Sequence, residues 1–359
     1  MEARWAFLFL LVLLVPSAYG DENIIPGSRY TSARGAAMGG AFLPLGDDGA
    51  SGLFYNPADI AKNQGTHLDL FNLSLYGDAG YLNNFNITSG YKILSLSGYE
   101  PILAANPGQI MGIGGAFVPT YSMKGFAFGL MTQSQMWGVV NHDGTITYRS
   151  LYQLIPTVGT GLRLADGIVR IGYSLQWVNE AAGMVTGTSA TSYTNGIAEG
   201  STFSNNLGFA LTLPVTYLPS FNLVARNLLG ASYNSVCLIP VASNPSGPPP
   251  FEASSYDASL SIEPKISARS GFNIVVEYQD LTNVSNVTPI GHLATGIEFH
   301  WMHEVYLRAG YGTGYPSAGI GFAHNGSALD FAWYSMDVGA TYHALQDTRY
   351  LLQYQARAF

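Results

Sequence analysis

His300-Trp301-Met302-His303-Glu304 is where side chains able to ligate a metal or relay a proton crowd most closely in this chain. The two histidines are three positions apart. On a strand that spacing points them to opposite faces, so the imidazoles are not expected to converge without a distorted turn. No Gly-x-Ser-x-Gly elbow, phosphate-binding loop, His-Glu-x-x-His or paired-cysteine metal motif occurs. Linear spacing therefore assembles neither an activated nucleophile nor a metal cage, and neither an enzyme nor a cofactor is expected. The lone Cys237 cannot close an intramolecular disulfide and reads as an inert residue in a loop or strand.

What remains is charge pairing. Arg34 precedes the Asp47-Asp48 pair, and isolated charges stand at Arg170, Asp257, Glu263, Lys265, Glu277, Glu298 and Arg308. The elements that carry the isolated charges have a clear period of two. In Ile168 to Val178, the residues Val169, Ile171, Tyr173, Leu175 and Trp177 share one face of a strand and Arg170, Gly172, Ser174 and Gln176 the other. Phe272, Ile274, Val276 and Tyr278 oppose Asn273, Glu277 and Gln279; Leu293, Ile297, Phe299 and Trp301 oppose His292, Glu298 and His300; Val305, Leu307, Ala309 and Tyr311 oppose Glu304 and Arg308. In Tyr256 to Ile266 the polar side holds Asp257, Glu263 and Lys265. Both signs of charge thus collect on one face.

Other stretches expected as strands are His67 to Leu75, Tyr81 to Ile87, Tyr91 to Ser97, Gln109 to Val118, Lys124 to Thr132, Thr202 to Leu213, Phe221 to Leu228, Ala318 to Phe322, Leu329 to Tyr334 and Tyr350 to Phe359. Thr145 to Leu164 alternates best; unbroken it would reach about 60 Å, so Pro156 is expected to mark a bend or a strand boundary. Asp166-Gly167 suggests a two-residue hairpin turn. The longer connections Asn179 to Ser201 and Gly230 to Ser255 are candidate extracellular loops.

The first twenty residues have the form of a secretory signal: Arg4, an apolar run from Trp5 to Val15, then Ala18-Tyr19-Gly20 as a small-x-small cleavage site. A helical anchor is the rival reading, but the run is about half the roughly 20 residues that cross a bilayer. Only 11% of residues are charged while 13% are aromatic, a deficit that lipid contact explains. With a net charge of −8 and lysine only at positions 62, 92, 124 and 265, nucleic acid is not an expected partner. An exported chain of alternating strands points to a transmembrane antiparallel β-barrel, apolar toward lipid and polar toward its lumen. A soluble sandwich is the alternative, but the aromatic strand ends Tyr278, Trp301, Tyr311 and Tyr334 fit interfacial girdles better. A lumen of mixed sign suits a plugged barrel more than an open channel.

Residues 21–65 stand apart, being rich in Gly and Ala with no period of two. Within them, Ser32-Ala33-Arg34-Gly35-Ala36-Ala37-Met38-Gly39-Gly40-Ala41-Phe42 and then Gly46-Asp47-Asp48-Gly49-Ala50-Ser51-Gly52-Leu53-Phe54-Tyr55-Asn56-Pro57-Ala58 resemble the N-terminal signature of the FadL-like and PorV-like outer-membrane proteins. The runs at 275–281, 307–311 and 329–334 look like the PorV-like branch. The resemblance implies a barrel of about 14 strands (66–359) behind a signal peptide (1–20), with residues 21–65 as an N-terminal hatch in the lumen. Its motif positions here are Arg34, Gly39, Gly40, Asp47, Asp48, Asn56, Pro57 and Ala58. The small residues would let a helical turn lie close to the wall, Arg34 would pair with inward carboxylates, and Asn56-Pro57 would set the turn that ends the plug.

The same resemblance implies passive transport of hydrophobic small molecules, fatty-acid or hydrocarbon-like, across the outer membrane of a Gram-negative-type bacterium. The alternative is an interaction barrel serving protein secretion or cargo shuttling. Implied partners are outer-membrane lipids, a hydrophobic small-molecule substrate, the barrel-assembly machinery and, on the second reading, secretion components. One departure is the terminal Phe359, which falls out of phase with the apolar face of Tyr350, Leu352 and Tyr354 unless a bulge restores the register.

Overall fold

The computed structural model describes residues 29–84, 96–141, 143–187, 196–238, 240, 241, 245–338, 343 and 345–358. The expected signal segment, most of the Tyr91 to Ser97 stretch and Phe359 lie outside them.

Three short helical pieces come first: α1 (Ala33–Ala37), α2 (Gly49–Phe54) and a 3-10 turn (Pro57–Lys62). The wall then runs β1 (His67–Asp78), β2 (Met111–Phe117), β3 (Thr120–Met123), β4 (Phe126–Val140), β5 (Ile146–Leu164), β6 (Val169–Gly187), β7 (Ala198–Thr212), β8 (Ser220–Arg226), β9 (Ser255–Ile262) and β10 (Gly271–Tyr278). It ends with β11 (Leu293–Trp301), β12 (Val305–Gly312), β13 (Tyr315–His324), β14 (Ser327–Asp337) and β15 (Gln346–Arg357). Every pairing is antiparallel, and β15 pairs with β1, so the sheet closes on itself and leaves no edge strand. β2 and β3 share the position between β1 and β4. The ladder crosses their junction, since Val118 N donates to Asn72 O at 2.8 Å and Leu130 N to Pro119 O at 3.1 Å. The fifteen segments thus build a closed barrel of fourteen wall positions.

The period of two decides which way each residue points. Ile171, Tyr173, Ile297, Leu307 and Leu352 are exposed on the outside, while Arg170, Glu298, Arg308 and Gln353, on the same strands, are buried inside. Lipid is the solvent this outer surface suits: an exposed belt of Leu, Ile, Val and Phe around the whole wall is what a transmembrane barrel presents.

Several expectations from the sequence need correction. Tyr81 to Asn84 is helix and not strand: Asp78 Oδ1 accepts from Tyr81 N at 2.6 Å and starts helix α3 (Ala79–Asn84); the rest of the expected Tyr81 to Ile87 strand lies outside the described residues. The tail of the Tyr91 to Ser97 stretch opens helix α4 (Leu96–Ala105). Pro156 neither bends nor ends β5, which runs unbroken for 19 residues; Asn179 Nδ2, on the facing strand, donates to Leu154 O at 3.2 Å beside the missing proline N–H. The Asp166-Gly167 link is longer than a two-residue turn. Leu164 pairs with Val169, and Ala165, Asp166 and Gly167 between them all take positive φ. A register shift does occur near the chain end, but it lies in β1 between Asp69 and Phe71, opposite the end of β15.

The wall is lopsided. β4 to β7 hold 15, 19, 19 and 15 residues, whereas β8, β9, β10 and β12 hold 7, 8, 8 and 8. At the loop end of the tall flank the outer face is not bare. Tyr81 and Leu103, from α3 and α4, bury Met111, Val140, Ile146 and Tyr148, all on the outward phase of their strands.

Candidate functional site

Residues 29–66 pack on the inward face of the wall, and each of their contacts follows from local sequence. Ser32 caps α1 by accepting from Gly35 N at 3.0 Å, and Asp48 caps α2 by accepting from Ser51 N at 2.6 Å. Asn56 is fully buried: Oδ1 accepts from Ala58 N at 3.1 Å, and Nδ2 donates to Leu43 O at 3.1 Å and to Asn222 Oδ1 at 3.3 Å. Asn56-Pro57 therefore opens a turn. The expectation that it ends the segment is corrected, because the 3-10 turn continues to Lys62 with Ala58 fully buried in it.

Toward the tall flank the contact is apolar and close. Phe42, Leu53, Phe54, Tyr55 and Ile60 form one core with the inward Ala116, Val118, Ala127, Met131, Ile155 and Val178. The wall carries glycine where the 3-10 turn presses on it. A Cβ at Gly172 would lie 1.9 Å from Pro57 O, and one at Gly208 would lie 2.4 Å from Asn56 Oδ1.

Toward the short flank ion pairs are added to a smaller close seat, where Met38 and Ala41 pack on Val275 and Ala294 and a Cβ at Gly312 would lie 1.7 Å from Gly39 O. Arg34 makes a two-point bond to Glu298, Nε to Oε2 at 2.8 Å and Nη2 to Oε1 at 2.7 Å, and donates from Nη1 to Asp47 Oδ2 at 3.0 Å. Glu298 is fully buried and also receives Arg308 Nε at 2.7 Å and Asn273 Nδ2 at 2.9 Å; Arg308 continues to Asp330 at 2.5 Å. Glu277 Oε2 accepts from Phe42 N and Leu43 N, both at 3.0 Å. Asp257 accepts from Arg226 Nε at 2.5 Å, and Arg226 Nη1 reaches Phe54 O at 3.3 Å. Gly39 turns the chain at φ +68° against the Tyr311 backbone, and Gly40 O accepts from Gln279 Nε2 at 3.2 Å.

Of the inward charges expected from sequence, Arg170, Asp257, Glu277, Glu298 and Arg308 are buried on the inner face. Glu263 and Lys265 are not part of that group. β9 ends at Ile262, but Lys265 still bridges Gly271 in the same register; it keeps the inward phase past the strand end, where it is exposed. Asp330, Arg226 and Gln353 were missed, although all lie in the polar phase of their strands. Gln353 Oε1 accepts from Ala33 N at 2.7 Å, and its Nε2 donates to Tyr30 OH at 2.6 Å. Arg29 also finds partners that sequence spacing could not pair: it bonds Glu252, from the loop after β8, and lies 3.6 Å from Glu180.

Under the segment, burial pushes the Asp59 carboxyl above its ordinary range against the pull of Lys62, whose Nζ lies 2.8 Å away. Lys62 Nζ also donates to Pro44 O (2.7 Å) and Gly46 O (2.9 Å). A cavity of about 630 Å³ at the turn end is lined by residues of both signs, among them Arg34, Asp47, Asp48, Asp330 and Arg357. At the loop end the inner surface changes character. Ile110, Trp137, Val139 and Val338, with Met336 and Leu345, make an apolar patch across the mouth between β4 and β14.

The histidine pair also needs correction. Met302 and His303 both take positive φ, and this distorted turn stacks the His300 and His303 rings with centroids 4.9 Å apart. Among the described residues, no group of three or more His, Cys, Asp or Glu is placed to hold a metal ion.

No protein-family model and no curated protein sequence matches the chain. Solved structures do match. The CymD monoaromatic hydrocarbon channel superposes with a TM-score of 0.51 at 12% identity, over 92% of this chain and 97% of that one. The toluene transporter TodX of Pseudomonas putida gives 0.50 at 11% identity, over 91% and 97%. At such identities the likeness is one of fold, and it extends over nearly the whole of each chain: this protein has the barrel architecture of those two channels.

Proposed function

We propose that this protein conducts hydrophobic small molecules, hydrocarbon- or fatty-acid-like, passively across an outer membrane, with residues 29–66 as a movable plug. The observation that carries the reading is the apolar cluster of Ile110, Trp137, Val139 and Val338 on the inner face at the mouth, beyond the plug. An inward apolar cluster at the mouth is useful where an apolar solute must leave the outer medium. The two similar channels, a monoaromatic hydrocarbon channel and a toluene transporter, support the same class of solute. From the patch a solute would meet the plug, which is held by a greasy face on one side and by ion pairs on the other. Charged pairs can exchange partners or take up water, and the apolar seat beside them, Met38 and Ala41 on Val275 and Ala294, is small next to the shared core of the other side, which cannot part without opening a large void. Passage would therefore open on the ionic side. No nucleotide-binding motif is present, so flux would follow the gradient.

The test is uptake of a labelled monoaromatic hydrocarbon and of a labelled fatty acid by cells that depend on this barrel, with Trp137→Asp and Val139→Asp as the key variant. Uptake should fall several-fold with barrel abundance unchanged. Equal uptake would remove the patch from the pathway.

A second reading, an interaction barrel for secreted proteins, is favoured by the mixed-charge cavity at the turn end, whose lining of Arg34, Asp47, Asp48 and Arg357 suits a polar peptide better than a hydrocarbon. Co-purification separates the two: a stable complex with secretion components supports this reading, and an apolar ligand in a solitary barrel supports the first.

A further inference from the structure

The two flanks of the wall handle outward apolar surface in opposite ways. On the tall flank the strands overshoot any bilayer, and the surplus at the loop end is roofed by α3 and α4. The tall turn between β5 and β6 is polar, with the Asp166 side chain fully exposed. On the short flank β8, β9 and β10 hold 7, 8 and 8 residues. At about 3.3 Å per residue and a tilt near 40°, such strands raise the wall by less than about 20 Å, short of the roughly 25 Å apolar band of membrane barrels.

The apolar surface there continues past the strand ends. In the β7–β8 link Leu213, Val215 and Tyr217 are 45%, 56% and 56% exposed, and in the β9–β10 link Ile266 is 64% exposed. They extend the outward belt of Phe221, Leu260 and Ile262. In the same link Arg269 is exposed three residues past Ile266, whereas Lys265 pairs with Gly271 and so keeps the inward phase of Asp257. Apolar side chains beside a long basic one are what an acyl layer beneath phosphate headgroups accepts.

We propose that the turns at 213–219 and 263–270 form a phospholipid-docking surface, in which Val215, Tyr217 and Ile266 lie in the acyl layer and Arg269 reaches the headgroup phosphates. The occupant is the leaflet at the turn end, continuous with the lipid that already coats the belt. These turns make up the height that the short strands lack, so this flank sits deeper than the turn between β5 and β6.

The test uses the full-length barrel with Cys237→Ser, reconstituted in phosphatidylethanolamine and phosphatidylglycerol vesicles. A nitroxide is attached through Val215→Cys, Ile266→Cys, Leu260→Cys (belt control) or Asp166→Cys (water control). Collision with oxygen is compared with collision with a water-soluble nickel chelate, and only barrels with heat-modifiable gel migration are scored. The oxygen-to-nickel ratio at 215 and 266 should exceed that at 166 several-fold and approach that at 260. Ratios at 215 and 266 equal to that at 166 would overturn the proposal, since the bilayer would then thin to the strands and leave the turns in water. Arg269→Glu should lower the ratio at 266; an unchanged ratio would overturn the headgroup contact.

Discussion

The N-terminal segment touches two unlike walls, and the contrast shows how one short piece of chain is held without fixing it everywhere. Against β4 to β7 it is seated by Leu53, Ile60 and the backbone of Asn56-Pro57 on glycine-bearing strands. Against β10 to β14 it is held by carboxylates, with Glu298 taking Arg34 and Arg308 and Glu277 taking two backbone N–H groups. Packing of the first kind is non-directional and tolerates no gap. Ion pairs of the second kind set register and cost desolvation, so their net contribution is small while the cost of breaking one is large.

The largest expected effect tests the ionic wall. Glu298→Ala leaves Arg34 and Arg308 buried beside an empty site and should destabilise the barrel by about 4 kcal/mol in urea unfolding. The double variant Arg34→Met with Glu298→Leu keeps Arg308 on Asp330 and should recover most of that loss; failure to recover it would show that the ion pair contributes net stability, and the contrast between the walls would weaken. Next comes the apolar wall. Leu53→Ala opens a cavity in the shared core and should cost about 3 kcal/mol, with no rescue by any single charge change. Gly172→Ala drives a methyl into Pro57 O and should cost about 2 kcal/mol; a silent substitution would mean that the segment does not press on this strand.

The smallest effect concerns pH. The native Asp59 carboxyl titrates above its unfolded value because burial disfavours the charge. The native state therefore binds the extra proton between those two values, and stability is lost as pH rises through the native pKa. Asp59→Asn has no charge to bury and should flatten that part of the stability profile; an unchanged slope would assign it to another group.

Much of the wall was legible because a strand with lipid on one side and a polar bore on the other must alternate, and Phe272 to Tyr278 or Val305 to Tyr311 do so without interruption. Inward carboxylates such as Glu277 and Glu298 followed from the same parity. The misreadings have specific physical causes. Tyr81 to Asn84 has strand-like composition, but an Asp78 cap and the cover it gives the outer wall make it helical. Lys265 keeps the parity of Asp257 through its bridge to Gly271, yet it lies past the end of β9 and is exposed there, which parity alone does not reveal. The stacking of His300 on His303 depends on two positive-φ residues that no period reveals. Partners such as Arg29 with Glu252 are 223 positions apart and meet only because the barrel closes around the segment.

The central claim is that apolar solutes cross only when the plug yields on its ionic side. Gly296 faces Met38 so closely that a Cβ there would lie 2.8 Å from the Met38 Cβ, and a bond between Met38→Cys and Gly296→Cys in a Cys237→Ser background needs about 1 Å of relief to close. Uptake of labelled toluene by cells carrying this variant should stop under oxidant and return under reductant. Uptake that continues unchanged with the bond formed would contradict the account.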